Sequence, residues 1–242
     1  MAMDYNWWIL VSGPLLLVIM NFLLGSIPWG LIVSKAFYHT DIREHGSGNI
    51  GTTNALRTIG VVGGLVVLGL DVLFGLLAGY LIRFALIWTF LGLPEGLFAQ
   101  NGYLTAMLGG LGFLAVVAGH IFSPWLHWRG GKGIATTLGV TISTLGIWPA
   151  LILLAIFGLV TLLSRYVSLG SLVAVALMPV AAGWVTYPST GWWILTLFCA
   201  ASAAVVFWAH RGNIQRLRQG TENRIGAKKT PPAETGGSSE DE

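Results

Sequence analysis

The sequence predicts an all-α protein, a polytopic membrane bundle of about seven transmembrane helices with its N-terminus outside and its C-terminus in the cytoplasm. Three observations predict it. Hydrophobic residues make up 55% of the 242 positions and charged residues only 10%, too little charge to solvate a globular surface of that size. Several apolar runs reach the ~20 residues needed to cross a hydrocarbon core of ~30 Å. Finally, the basic residues collect in short segments between the runs, as loops retained in the cytoplasm do. Soluble classes are excluded, and no nucleic-acid partner is expected.

The first run, residues 7–33, has no basic segment ahead of it and no small-residue cleavage site before Lys35. It therefore reads as an anchor that stays, not as a cleaved signal. Residues 59–93 carry Arg83 and form one long tilted helix, or a span plus an interfacial piece. Residues 104–126 follow. Residues 134–163 would be ~45 Å as one helix at ~1.5 Å per residue, well beyond the bilayer core. They also contain Gly146, Trp148 and Pro149 midway, so two short spans are expected there. Residues 167–187 and 192–209 complete the set.

With 59–93 as one span and 134–163 as two, every Lys and Arg except Arg83 falls on one face. A single span over 134–163 would instead send Arg165 and the basic C-terminal segment outside, against the charge rule. The opposite face keeps only connectors such as 93–102 and 187–191. Trp7, Trp8, Tyr103, Tyr187, Trp192 and Trp193 stand where interfacial anchors belong. Residues 1–226 read as a single transmembrane domain. Residues 227–242 are rich in Pro, Gly, Ser and charge and are expected to be disordered. No internal repeat is evident. The lone Cys199 lies in an apolar stretch, so neither a disulfide framework nor a thiolate metal cluster is expected.

Four polar segments on the basic face carry the chemistry. The first, DIREHGSGNIGTTNALRTIG at 41–60, combines glycines, through which backbone N–H groups approach a ligand closely, with hydroxyls, amides and the planar fork of Arg57. Ser47, Gly48, Asn49, Thr53, Asn54 and Arg57 are its candidate phosphate contacts. Composition alone is equally that of a flexible hairpin. The second segment, GHIFSPWLHWRGGKGIATT at 119–137, leads through Gly130, Gly131, Lys132 and Gly133 into a helix. That helix start offers unpaired N–H groups and the positive end of a dipole beside a full charge. It lacks the spacing G-x-x-x-x-G-K-[ST], so ATP hydrolysis is not expected.

The third segment, SRYVSLGS at 164–171, places Ser168 and Ser171 on one helix face, while Arg165 there reads equally as a snorkelling anchor. The fourth, HRGNIQRLRQGTENRIG at 210–226, brings His210 and Asn213 together where the last span ends. An imidazole there suits proton transfer or charge-dependent phosphate binding. Glu222, among Arg216, Arg218 and Arg224, is expected to pair structurally. Asp71 and His120 lie inside apolar runs. Asp71 needs a partner or an inward position, since an ionisable group at mid-bilayer costs roughly 2.5 to 3.5 kcal/mol. His120 is expected to prop the second segment. No H-E-x-x-H, no G-x-S-x-G and no metal constellation of Cys and His is present, and no His is followed by Asp five positions on, which argues against the H-x-x-x-x-D acyltransferase type.

Taken in order, GSGNIGTTNALR, GHIFSPWLHWRGGKGIAT, RYVSLGS and HRGNIQRLRQGTENRI resemble the motifs of the PlsY family, bacterial membrane glycerol-3-phosphate acyltransferases that use acyl phosphate as donor. The resemblance spans nearly the whole chain and implies a seven-span, N-out arrangement. It implies that Ser47 and Arg57 are activity-critical, that Gly130, Gly131, Lys132 and Gly133 hold glycerol phosphate, that His210 and Asn213 are catalytic or phosphate contacts, and that Glu222 is structural. It implies no cofactor. It further implies acyl phosphate and glycerol 3-phosphate as substrates, membrane lipid and a peripheral enzyme supplying acyl phosphate as partners, and the bacterial inner membrane as location, with the site facing the cytoplasm. Thr52 departs from the family's usual Ala, and Phe74 stands where a D-x-x-K-G pattern beginning at Asp71 has Lys. The rival reading is a transporter of an organic phosphate, against which the polar groups lie on one face rather than at the midplane.

Overall fold

The computed structural model describes residues 7–88 and 102–226. The expectations for the 93–102 connector and the 227–242 tail lie outside the described residues, as do those for the side chains of Trp7, Trp8 and Arg83.

Every regular element among the described residues is helical. The first apolar run is not one helix. Helix α1 (Trp7–Ser26) stops before Ile27 and Pro28, and α2 (Trp29–Tyr38) starts afresh, because proline lacks the N–H that would continue the ladder. The break is used. The Ser26 carbonyl accepts from Ser123 Oγ at 2.6 Å and the Ser26 hydroxyl from Trp125 Nε1 at 2.9 Å. These bonds tie the first span to the start of the second polar segment.

After a short α3 (Thr52–Thr58), α4 (Gly60–Trp88) runs as one 29-residue helix, and α5 (Gly102–Ile121) follows. The stretch expected to divide does so at Gly146, into α6 (Ile134–Leu145) and α7 (Ile147–Ser164). Helices α8 (Val167–Thr186), α9 (Trp192–Ala209) and α10 (Arg211–Arg218) complete the order. Among the described residues, six segments are long and apolar enough to cross a membrane. The seventh, α6, is not: its 12 residues span only ~18 Å at ~1.5 Å per residue.

Helix α5 lies between α1 and α9, α8 packs on both α7 and α9, and α6 is pressed against α4. The last contact brings backbones into close approach. A side chain at Gly75 would overlap the Thr136 carbonyl, and one at Gly139 the Val72 carbonyl. Small residues at helix crossings gain close van der Waals packing where lipid gives no hydrophobic drive between helices. The central core of Phe113, Val116, Val117, Val140, Met178, Cys199 and Val206 joins α5, α6, α8 and α9 into one body. Cys199 is buried there as a free thiol.

Candidate functional site

The four polar segments meet at one end of the bundle around a cavity of about 560 Å³, within the range of small-molecule sites. Its wall changes character with depth. Ser47, Asn49, Thr53, Arg57, Lys132, Gly133, Ser168, Ser171, His210, Asn213, Arg216 and Glu222 line the polar part, and Leu153, Leu154, Phe157, Val175 and Met178 the apolar part. The apolar part runs along α6, α7 and α8. From Ser168 to Met178 on α8 it reaches ~15 Å at ~1.5 Å per residue.

The first segment is folded onto itself by Asn54, which is buried. Its Oδ1 accepts from Ser47 N at 2.9 Å, and its Nδ2 donates to the carbonyls of Ile42 at 2.9 Å and His45 at 3.0 Å. Both amide hydrogens are thus spent on the loop, leaving none for an anion. Asn54 lines the cavity but holds the loop, in place of the phosphate contact expected from its composition. Asn49 likewise fixes the turn, accepting from Gly51 N at 2.9 Å, but its Nδ2 has no such engagement. Lys35 and Arg43 are both occupied by Asp41, at 3.0 and 2.6 Å. The Arg43 guanidinium holds the Asp41 carboxyl well below the usual carboxylate range.

The second segment turns back on α5. Gly130 N donates to the Ile121 carbonyl and Gly131 N to the His120 carbonyl, each at 3.0 Å. A Cβ at Gly130 would overlap that His120 carbonyl, and one at Gly131 the His120 ring. Gly130 and Gly131 therefore shape the turn from behind and do not line the cavity, and Gly48 does not line it either. Lys132 and Gly133 do. Gly133 adopts a left-handed φ of 79° that few other residues tolerate, and α6 begins directly after it. Burial brings the Lys132 ammonium down to about 8, with Glu222 acting to raise it and Arg216 and Arg57 to lower it. Those influences mark the convergence of groups from three segments on one spot.

In the fourth segment Glu222 accepts from Asn213 Nδ2 at 2.6 Å and from Arg216 Nε at 2.7 Å. Burial alone would raise this carboxyl, but the bonds from Asn213 and Arg216 hold it below its ordinary value. The Ser168 hydroxyl, buried beside the same cluster, acts on the Glu222 carboxyl in the same direction. His210, only 2% exposed, has Nδ1 at 2.9 Å from the Val206 carbonyl. A carbonyl only accepts, so Nδ1 carries the proton and the lone pair of the neutral ring is on Nε2. Burial, reinforced by Lys132, brings the imidazole down to about 4 against the opposing pull of the Val206 bond and Glu222. The segment is closed onto the third by Ile225 N donating to the Arg165 carbonyl at 2.9 Å and Arg224 Nε to Tyr166 Oη at 2.7 Å.

Sequence reasoning did not include Arg216, Asn223, Thr52, Thr137 or Thr161 among the site residues, though all line the cavity. Arg216 had a signal in its spacing from His210 and Asn213. Thr137 stands one turn beyond Gly133, and its hydroxyl, like those of Thr52 and Thr161, is buried without a partner. Asp71 and His120 line the cavity too.

A profile of the family described as Glycerol-3-phosphate acyltransferase matches residues 15–220. Similar curated proteins include the glycerol-3-phosphate acyltransferases of Endomicrobium trichonymphae, 37% identical over 87% of this chain and 95% of the relative, and of Thermosynechococcus vestitus, 41% identical over 88% and 95%. Among solved structures, the glycerol 3-phosphate form of PlsY, an integral membrane glycerol 3-phosphate acyltransferase, matches with a TM-score of 0.71 at 31% identity, over 88% of this chain and 96% of that one. Its lysophosphatidic acid form matches with a TM-score of 0.69.

Proposed function

The chain belongs to the glycerol-3-phosphate acyltransferase family, and from that premise we propose that it moves a fatty acyl group from acyl phosphate to the 1-hydroxyl of glycerol 3-phosphate, giving lysophosphatidic acid and phosphate. The observation that carries this reading is the two-part cavity. Cationic groups from three segments surround one end, and an apolar wall extends inward from it. Two phosphates brought side by side repel each other, which calls for converging positive charge and oriented donors. A fatty chain calls for the apolar extension.

The hydroxyl oxygen of glycerol 3-phosphate attacks the acyl carbonyl carbon, and the bond from that carbon to the phosphate oxygen breaks. Phosphate departs with the electron pair. Because phosphate is already a good leaving group, no enzyme nucleophile is needed. The hydroxyl proton passes to His210 Nε2, whose lone pair is freed by the bond from Nδ1 to Val206. Arg57, Lys132 and Arg216 hold the phosphates, Ser47, Asn49, Thr53 and Ser168 supply neutral donors, Ser171 lines the cavity with its hydroxyl donated to the Val167 carbonyl at 2.9 Å, and Gly133 lets α6 begin at the ligand. Asn213 is aimed by Glu222. The gathering of polar groups at one end of the bundle supports catalysis over transport, which would place them at mid-depth.

The charge distribution supports an N-terminus outside and a site facing the cytoplasm, and the resemblance to the PlsY family supports a bacterial inner-membrane location and a peripheral enzyme delivering acyl phosphate. The chain of the donor enters from the inner leaflet. The test is to incubate the purified protein in detergent with labelled glycerol 3-phosphate and, separately, acyl phosphate, acyl-CoA or acyl carrier protein thioester, beside Arg57→Ala. Product from acyl phosphate alone, lost in the variant, is the expected result. Product from a thioester alone would overturn the donor, and no product from any donor would overturn the reaction.

A further inference from the structure

Asp71, His120 and Thr136 come from α4, α5 and α6 and meet beneath the Gly130–Gly131 turn, the first two lining the cavity. They are 3%, 4% and 1% exposed. Asp71 Oδ1 lies 3.8 Å from His120 Nδ1, an ion-pair distance, and Thr136 Oγ1 lies 3.0 Å from the same nitrogen.

An ionised carboxylate inside an apolar span is unfavourable, and one lining a cavity for anions also opposes the ligand's charge. A purely passive Asp71 would therefore be a liability twice over. What Asp71 contacts is the residue on which the phosphate turn rests. The His120 carbonyl receives Gly131 N at 3.0 Å, and its ring fills the space a Gly131 side chain would take. The next residue is Lys132.

We propose that Asp71 is a positioning residue: through the His120 imidazole, with Thr136 as the third contact, it fixes the platform under Gly131 and thereby the place of the Lys132 ammonium in the cavity. This rests on the proposed reaction and adds to it the origin of the geometry at the acceptor's phosphate. Asp71 touches neither substrate. His120 Nδ1 faces both Asp71 and Thr136 while Nε2 lies against the glycine turn, so the two oxygens fix the rotamer of the ring. Three helices are thus coupled to the loop through one side chain.

The experiment is equilibrium dialysis of labelled glycerol 3-phosphate against the detergent-purified protein, Asp71→Asn, Lys132→Ala and the double variant, together with kcat at saturating acceptor. Asp71→Asn keeps the shape and lowers the insertion cost, so assembly is expected, and a melting curve checks it. The expected result is a Kd raised about tenfold with kcat within about threefold, and a double variant binding no more weakly than Lys132→Ala alone, since residues acting as one unit are not additive. Wild-type affinity in Asp71→Asn, full additivity with Lys132→Ala, or a loss in kcat alone would each overturn the role. If the wild type binds glycerol 3-phosphate but makes no product from acyl phosphate, the donor reading fails while the affinities still decide the role of Asp71. If it does not bind at all, both fail.

Discussion

Asn213 Nδ2 donates to Glu222 Oε1 at 2.6 Å while Arg216 Nε occupies Oε2 at 2.7 Å, so the carboxylate in the cavity wall is covered on both oxygens by groups it holds in place. Its negative charge is neutralised locally, and two donors are aimed. Glu222→Ala frees both. We expect kcat/KM for glycerol 3-phosphate to fall by at least about tenfold, since bonds to charged groups contribute roughly 1.5 to 3 kcal/mol, with Glu222→Gln in between because its amide nitrogen would face Arg216. Steady-state kinetics decide it. The folded carboxyl titrates below its ordinary 4.5, so its contribution to stability is complete above that value and is lost as pH falls through the folded one.

Lys132 gives an alkaline limb. Its ammonium is brought down to about 8, so in the free enzyme it is charged below that pH and neutral above it. We expect kcat/KM for glycerol 3-phosphate to decline as pH rises through about 8, and the limb in kcat to lie higher, because a bound phosphate favours the charged form. Lys132→Arg should retain binding and remove the limb. A pH profile in which both enzymes decline together would contradict this.

His210 gives an acid signature of the opposite origin. Its folded value of about 4 lies below that of an unfolded imidazole, ~6.5. Between the two, the unfolded chain binds more protons, so stability falls as pH is lowered through that window. His210→Gln should flatten this part of the melting-temperature profile while lowering kcat by roughly 10²- to 10⁴-fold.

Gly131→Ala places a methyl group into the His120 ring. The turn must shift, and Lys132 with it. We expect the KM for glycerol 3-phosphate to rise about tenfold or more while expression and melting change little, because one misplaced contact alters ligand geometry more than bundle packing. An unchanged KM would show that the ring yields instead.

How much of this was legible in the sequence differs by element. The division of 134–163 was, because a helix of that length outruns the bilayer and Gly146 and Pro149 mark the break. The break at Pro28 was not, because the run stays apolar through it and hydropathy has no term for a missing N–H. The short α6 was expected as a span, but its 12 residues fall short of the crossing length, a shortfall that the charge count does not register. At the cavity, Arg57, Lys132 and His210 could be picked from residue type as residues that would line it, since they have few other reasons to stand beside glycines. Asn54, Gly130 and Gly131 were misjudged for a shared reason. An amide or a glycine in a polar loop serves the backbone or the ligand with the same composition, and only the direction of its bonds tells which.

Asn54→Ala removes three backbone contacts from a residue 2% exposed. We expect a loss of about 1 to 3 kcal/mol of local stability, seen as faster hydrogen exchange over 42–47 with α4 and α5 unchanged.

That amide has a wider effect. Because Asn54 ties the loop through three bonds of its own, we expect Ser47 to have little freedom left to surrender at the moment of capture. Recognition here behaves as a lock already cut. Binding should carry a small entropic penalty and proceed at a rate limited by encounter, so that loosening the loop slows capture before it weakens the hold.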